Sequence, residues 1–151
     1  MTLASLTAPE LIFPDLRCTD RADLLRTLAD RIIDSGRVKD ADTLFLRLRE
    51  REDLDSTGIG AGVAIPHCKM DHLARVVLAI GKLRKGIDFG ARDGEPVRLF
   101  FCVISPTRDP AAHLRCLQAI SKWLTGPGHR DQLLELSDPD AIYELLKTKA
   151  D

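Results

Sequence analysis

The residues best placed to do chemistry are His67 and the run before it, "STGIGAGVAIPH" from Ser56 to His67. Gly58, Gly60 and Gly62 stand at alternate positions, where the backbone can take conformations closed to other residues and another group can approach it closely. "VAIP" reads as a short buried strand reaching Ile65, and Pro66 removes a backbone donor while fixing its own φ. The spacing therefore predicts an imidazole held at a strand end, beside small residues and backbone amides. A neutral imidazole with an ordinary pKa of about 6.5 is a usable nucleophile near neutrality.

Two further groups can serve such a ring. His113 lies on a stripe with Leu117, Ile120 and Leu124, the helical face that must pack inward. Alone it reads as a boundary histidine with one edge in the core; paired with His67 it can orient the other ring or shield a charge on it. Arg51 sits in "RERED" just before the glycine turn, and a guanidinium's planar fork suits phosphate oxygens. Arg49 and Glu50 read as a solvated charge run. Ser56, Thr57 and Gly58 supply hydroxyls and amides at the mouth of the turn, able to cradle phosphate oxygens or to act as turn and cap residues. Phosphoryl transfer asks a protein mostly for in-line positioning and charge stabilisation, which this set can supply.

Other chemistries fit less well. His67, Cys68 and His72 lack a recognised metal-ligand spacing and a fourth ligand, so no metal is expected. There is no G-x-S-x-G elbow and no G-x-x-x-x-G-K-[ST] loop, and Val63 stands where a dinucleotide motif needs its third glycine. Cys18, Cys68, Cys102 and Cys116 are scattered without a C-x-x-C pair, against a disulfide or zinc scaffold.

The elements around these residues are legible from periodicity. Leu25, Leu28, Ala29, Ile32 and Ile33 share one helical face, with Thr19 or Asp20 as cap and Gly36 as stop. A second helix is expected from Asp40, with Leu44 and Leu48 inward. A strand is expected over Arg75–Leu83, then a turn at Lys85 and Gly86. The unbroken apolar run Leu99–Ile104 predicts a central strand covered on both faces. Asp109 and Pro110 open a helix through Leu124, and two short helices follow "GPGH". The fold class is α/β: one domain, residues 1–151, with a small sheet flanked by helices.

Composition agrees with a globular domain: 151 residues, 44% hydrophobic and 30% charged. With 22 basic and 23 acidic residues the net charge is −1, so nucleic acid is not an expected partner. "VVLAIG" and "LFFCVI" are too short to cross a membrane, and "MTLASLTAPELIFPD" lacks a basic signal-peptide start, so a cytoplasmic protein without membrane insertion is expected.

The segment "STGIG-x-G-x-AIPH", preceded by "RE" and followed at a distance by "HLRCLQAISKWL", resembles the enzyme IIA domain of the phosphoenolpyruvate-dependent phosphotransferase system. The branch it resembles is the fructose/mannitol type, within it the free-standing nitrogen-related form, and the resemblance covers essentially the whole chain. It implies a small mixed sheet flanked by helices. It implies that His67 accepts a phosphoryl group at Nε2 from the phosphohistidine of an HPr-type carrier, with His113 as second histidine and Arg51 as the nearby arginine. No cofactor, metal or nucleotide is implied for that step. The resemblance points to a phosphocarrier rather than a free-standing metabolic enzyme, acting mainly in nitrogen- and potassium-related regulation through phosphorylation-dependent protein targets. Two alternatives go with it: a sugar-specific IIA that passes phosphate to an enzyme IIB, and a binding module that transfers nothing. Cys68 departs from the family, where glycine is usual; its thiol could crowd the acceptor, sensitise it to oxidation, or be a tolerated small residue.

Overall fold

Asp20, Asp40 and Asp109 each begin a helix by the same local device. Their carboxylates accept the backbone N–H groups of Asp23, Thr43 and Ala112, donors that a helix start leaves unpaired. The helices that follow are α1 (Arg21–Asp34), α2 (Ala41–Leu54) and α3 (Pro110–Leu124). Two short helices, α4 (His129–Glu135) and α5 (Pro139–Leu145), complete the chain in this computed structural model, which describes residues 2–148. Among the described residues no helix is long and apolar enough to cross a membrane.

The strands are β1 (Ile12–Leu16), β2 (Gly58–Gly60), β3 (Val63–Ala64), β4 (His67–Met70), β5 (Val77–Ile87) and β6 (Val97–Pro106). They form one mixed six-stranded sheet in the order β1-β5-β6-β3-β2, with β4 also paired to β6. β1 runs parallel to β5, β5 antiparallel to β6, and β3 and β4 parallel to β6.

The long apolar run predicted to be central is β6. Its alternate residues go to opposite faces, as the two-residue period of a strand requires. Phe100, Cys102 and Ile104 join the layer built by Leu24, Leu25 and Leu28 of α1 with Leu44 and Leu48 of α2. Leu99, Phe101 and Val103 join Cys116, Ile120 and Trp123 of α3. Ser105, next in that second series and fully buried, is thereby aimed at α3.

Two expectations need correction. The strand predicted to stop near Leu83 continues as β5 to Ile87. Gly86 is a packing glycine rather than a turn, since a Cβ there would come within 2.8 Å of the Pro96 side chain. The strand predicted to end at Ile65 resumes as β4, with the register unchanged across the gap: Val63 lies opposite Leu99 and His67 opposite Val103. Pro66 interrupts the ladder because it has no N–H to donate, while its carbonyl still accepts from Val103 N–H at 2.9 Å. His67 therefore opens a strand segment instead of closing one.

Candidate functional site

Pro66 breaks the strand and His67 restarts it. Cys68 and Met70 of β4 point into the α1/α2 layer, leaving His67 and Lys69 for the opposite side. There α3 brings His113, whose ring centroid is 5.3 Å from that of His67 with the planes tilted by 53°. From the other layer the last turn of α2 brings Arg51. Its Nη1 donates to the Asp55 carbonyl at 2.8 Å, and its Nε donates to His67 Nε2 at 3.2 Å.

The protonation of His67 follows from its partners. Nδ1 lies 2.7 Å from the Ile65 carbonyl oxygen, which can only accept, so Nδ1 carries the hydrogen. Nε2 is left with its lone pair, the site that accepts from Arg51. Burial lowers the pKa of His67, and the positive charges of Arg51 and Lys69 push the same way against the Ile65 bond. His113 is buried, with Nδ1 2.6 Å from Ser105 Oγ. Its pKa is lowered to about 4, by burial first and then by His67 and Lys69. Both rings are thus neutral near pH 7, in an open pocket of about 520 Å³ that is also lined by Arg47, Glu50, Arg51, Leu54, Cys68 and Lys69. With three cationic side chains and one carboxylate around neutral rings, the pocket suits an anion beside a nucleophilic nitrogen.

The sequence expectations meet this geometry unevenly. His67, His113 and Arg51 come together. Ser56, Thr57 and Gly58 do not line the pocket, and their donors are already engaged. Ser56 Oγ donates to the Phe89 carbonyl, Gly58 N–H to Ser56 Oγ, and both Thr57 donors go to Glu52. The group that approaches the glycine turn closely is the protein itself: a Cβ on Gly58 would lie 2.9 Å from Ala91. Phosphate cradling by these three residues is corrected to a turn-locking role. His72 lines a different pocket, with Arg37, Lys39 and Asp40. The Cys68 thiol is buried and its pKa is pushed up to about 12 by that burial, so it remains an unreactive thiol despite its neighbour.

Arg47, Lys69 and Ser105 were missed. Lys69 could have been found by continuing the strand past Pro66, because residues two apart share a face. Ser105 follows from the odd-numbered face of β6. Arg47 stands one helical turn before Arg51 on α2, the i, i+4 spacing of a shared face.

Comparison with other proteins points one way. The family model described as "Phosphoenolpyruvate-dependent sugar phosphotransferase system, EIIA 2" matches residues 5–149. The chain is 33% identical over 144 residues to the PTS system fructose-specific EIIA component of Haloferax volcanii, covering 95% of this chain and 94% of that one. It is 35% identical over 147 residues to a nitrogen regulatory protein of Bradyrhizobium diazoefficiens, covering 97% and 95%. Among solved structures, the nitrogen regulatory protein IIA-Ntr from Neisseria meningitidis superposes with a TM-score of 0.87 at 25% identity, covering 95% of this chain and 98% of that one.

Proposed function

The chain belongs to the phosphoenolpyruvate-dependent sugar phosphotransferase system EIIA 2 family, and from that membership we propose that it acts as one enzyme IIA-type domain, a phosphoryl carrier that is loaded on His67. The donor is the phosphohistidine of an HPr-type carrier, in the cytoplasm. The Nε2 lone pair attacks phosphorus, the bond from phosphorus to the donor nitrogen breaks, and that electron pair returns to the donor ring. The proton on Nδ1 stays in place. The positive charge that the ring gains is spread toward the Ile65 carbonyl. Arg51 keeps Nη1 on the Asp55 carbonyl and passes its Nε–H from His67 Nε2 to the adjacent phosphate oxygen. The Ser105 hydroxyl can donate to His113 Nδ1; we assign it that direction, which puts the His113 proton on Nε2 as a neutral donor to the same oxygens.

The single observation that carries this reading is the bond from His67 Nδ1–H to Ile65. It leaves the nitrogen facing the basic pocket as the unprotonated one. The test is intact-mass analysis after incubation with phosphoenolpyruvate, enzyme I and an HPr-type carrier. One acid-labile phosphoryl group per chain is expected. None, with active upstream proteins, would leave a binding module that transfers nothing.

Loading should also follow the protonation of His67. A ring with a lowered pKa is in the attacking form at and above neutrality and is lost only as pH falls through that lowered value. Single-turnover loading from pre-phosphorylated carrier should therefore hold its rate below pH 6.5, the ordinary midpoint of about 6.5 being shifted to acid. A midpoint above 7 would contradict the proposed nucleophile.

A regulatory role is the use we assign to the phosphate: loaded and unloaded forms bind different protein targets. The likeness to nitrogen regulatory proteins supports it. The likeness to a fructose-specific EIIA component supports the second reading, transfer onward to an enzyme IIB. Mixing the loaded protein with fructose- and mannitol-type enzyme IIB separates them. Retention of phosphate on His67 favours regulation, and rapid loss to enzyme IIB favours sugar uptake.

A further inference from the structure

We propose that Glu52 is a positioning residue for the reaction at His67: from the buried face of α2 it clamps Thr57, and through Thr57 and Ile65 it fixes which nitrogen of His67 carries the proton. The inference rests on His67 being the phosphoryl acceptor.

Glu52 follows Arg51 directly, yet it turns the other way. Its neighbours Glu50 and Asp53 are exposed, whereas Glu52 is only 2% exposed. A carboxylate here is poorly explained by folding alone. Burial penalises its charge, and it lies in the last turn of a helix, the negative end of the helix dipole. Burial indeed raises its pKa, against the bonds from Thr57 and the charges of Arg21 and Arg51. A group that is costly for stability and adjacent to a site is a candidate for a role in that site.

Its oxygens show what the role is. One accepts Thr57 N–H at 2.5 Å and the other accepts Thr57 Oγ1–H at 2.7 Å, so a single residue is held at two points. The Thr57 carbonyl accepts Ile65 N–H at 3.0 Å. The Ile65 carbonyl in turn accepts His67 Nδ1–H at 2.7 Å. The series runs through the gap between β3 and β4, where Pro66 suspends the ladder to β6. Ile65 N–H and the Ile65 carbonyl lie in successive peptide planes joined at Ile65 Cα, so Thr57 anchors the first plane and thereby restrains the second, while Glu52 anchors Thr57. Once Thr57 is unclamped, the Ile65 carbonyl loses its aim, Arg51 Nε–H is left as the one contact favouring Nδ1–H, and part of the imidazole population moves its proton to Nε2. The fraction protonated on Nε2 has no lone pair with which to attack.

The test uses the full chain with ¹⁵N-labelled histidine. Proton–nitrogen correlation spectra report the His67 tautomer, and single-turnover and steady-state loading from a phosphorylated HPr-type carrier report the chemistry. In Glu52→Ala the spectrum should shift from Nδ1–H to a mixture. Loading kcat should fall on the order of 10–100-fold, as for a misplaced reacting group. KM for the carrier should stay within about twofold, because the carrier never touches Glu52. Glu52→Asp keeps the charge but is one methylene short, so it should resemble Glu52→Ala; it takes that variant's place if Glu52→Ala does not fold. Glu52→Gln should rescue, since its carbonyl can accept Thr57 N–H while its amide donates to Oγ1. A wild-type tautomer in the Ala and Asp variants, or loading unchanged in both, would overturn the proposal. So would a Gln variant as impaired as Ala, which would make charge the active property. The tautomer is read without phosphate. If wild type itself is never loaded, the phosphocarrier reading fails, while the spectrum still decides whether Glu52 fixes the ring.

Discussion

Under the phosphocarrier reading, His67→Ala should take up no phosphoryl group, whereas wild type should take one. The expectation is absolute because no other nitrogen in the pocket can replace Nε2. His113 is the one neighbouring imidazole, and it is buried, with Nδ1 engaged by Ser105. Its pKa of about 4 also makes it a weak nucleophile. Lys69 also lines the pocket, but an ammonium is a donor only and has no lone pair to offer. The substitution should leave the fold intact, since His67 is half-buried on a strand that pairs with β6 alone. Intact mass before and after mild acid, with a thermal melt as control, makes the measurement. A stable acid-labile adduct on a folded His67→Ala protein would move the acceptor elsewhere.

Arg51→Ala should slow loading by about 10²–10³-fold, the usual loss when one preorganised donor is removed from a developing charge. Arg51 is preorganised in a specific sense. One arm is fixed on the Asp55 carbonyl, so the other is already directed at Nε2 before any phosphate arrives. Arg51→Lys should recover only part of the rate. An ammonium keeps the charge but cannot hold the backbone carbonyl with one nitrogen and face the ring with another. A second readout separates this from simple misfolding. The Arg51 charge is one cause of the lowered His67 pKa, so Arg51→Ala should raise that pKa in an NMR titration. Loading within threefold of wild type, or a His67 pKa that does not move, would remove Arg51 from the proposed machinery.

What could be read from the sequence was set by the range of the forces involved. Caps are local, so Asp109 announced its helix and the first was narrowed to Thr19 or Asp20, of which Asp20 is the cap. The run Leu99–Ile104 announced a strand covered twice, because only a central strand can bury consecutive residues. "HCKM" announced nothing. Four residues between a proline and a turn become β4 only by pairing with Val103–Pro106, far along the chain. The glycine turn misled for a related reason. Its openness was visible in Gly58, Gly60 and Gly62, but the segment that fills it was not: Ala91 packs on Gly58, and Asp93 accepts from Ala61 N–H at 2.9 Å. Three of the site residues were legible because their motif is contiguous or distinctive. Arg47, Lys69 and Ser105 were not, because each depends on a neighbour supplied by folding.

The pocket is open among the described residues: Leu54 at its edge is 82% exposed, and His67 is partly exposed within it. Under the phosphocarrier reading this makes the loaded state a timed one. A phosphoimidazole in contact with water decays at a pace set by its own chemistry, while a partner seated over the opening would exclude water and stop the clock. The protein would then record how recently its donor was charged, and binding a target would preserve that record for as long as the complex lasts.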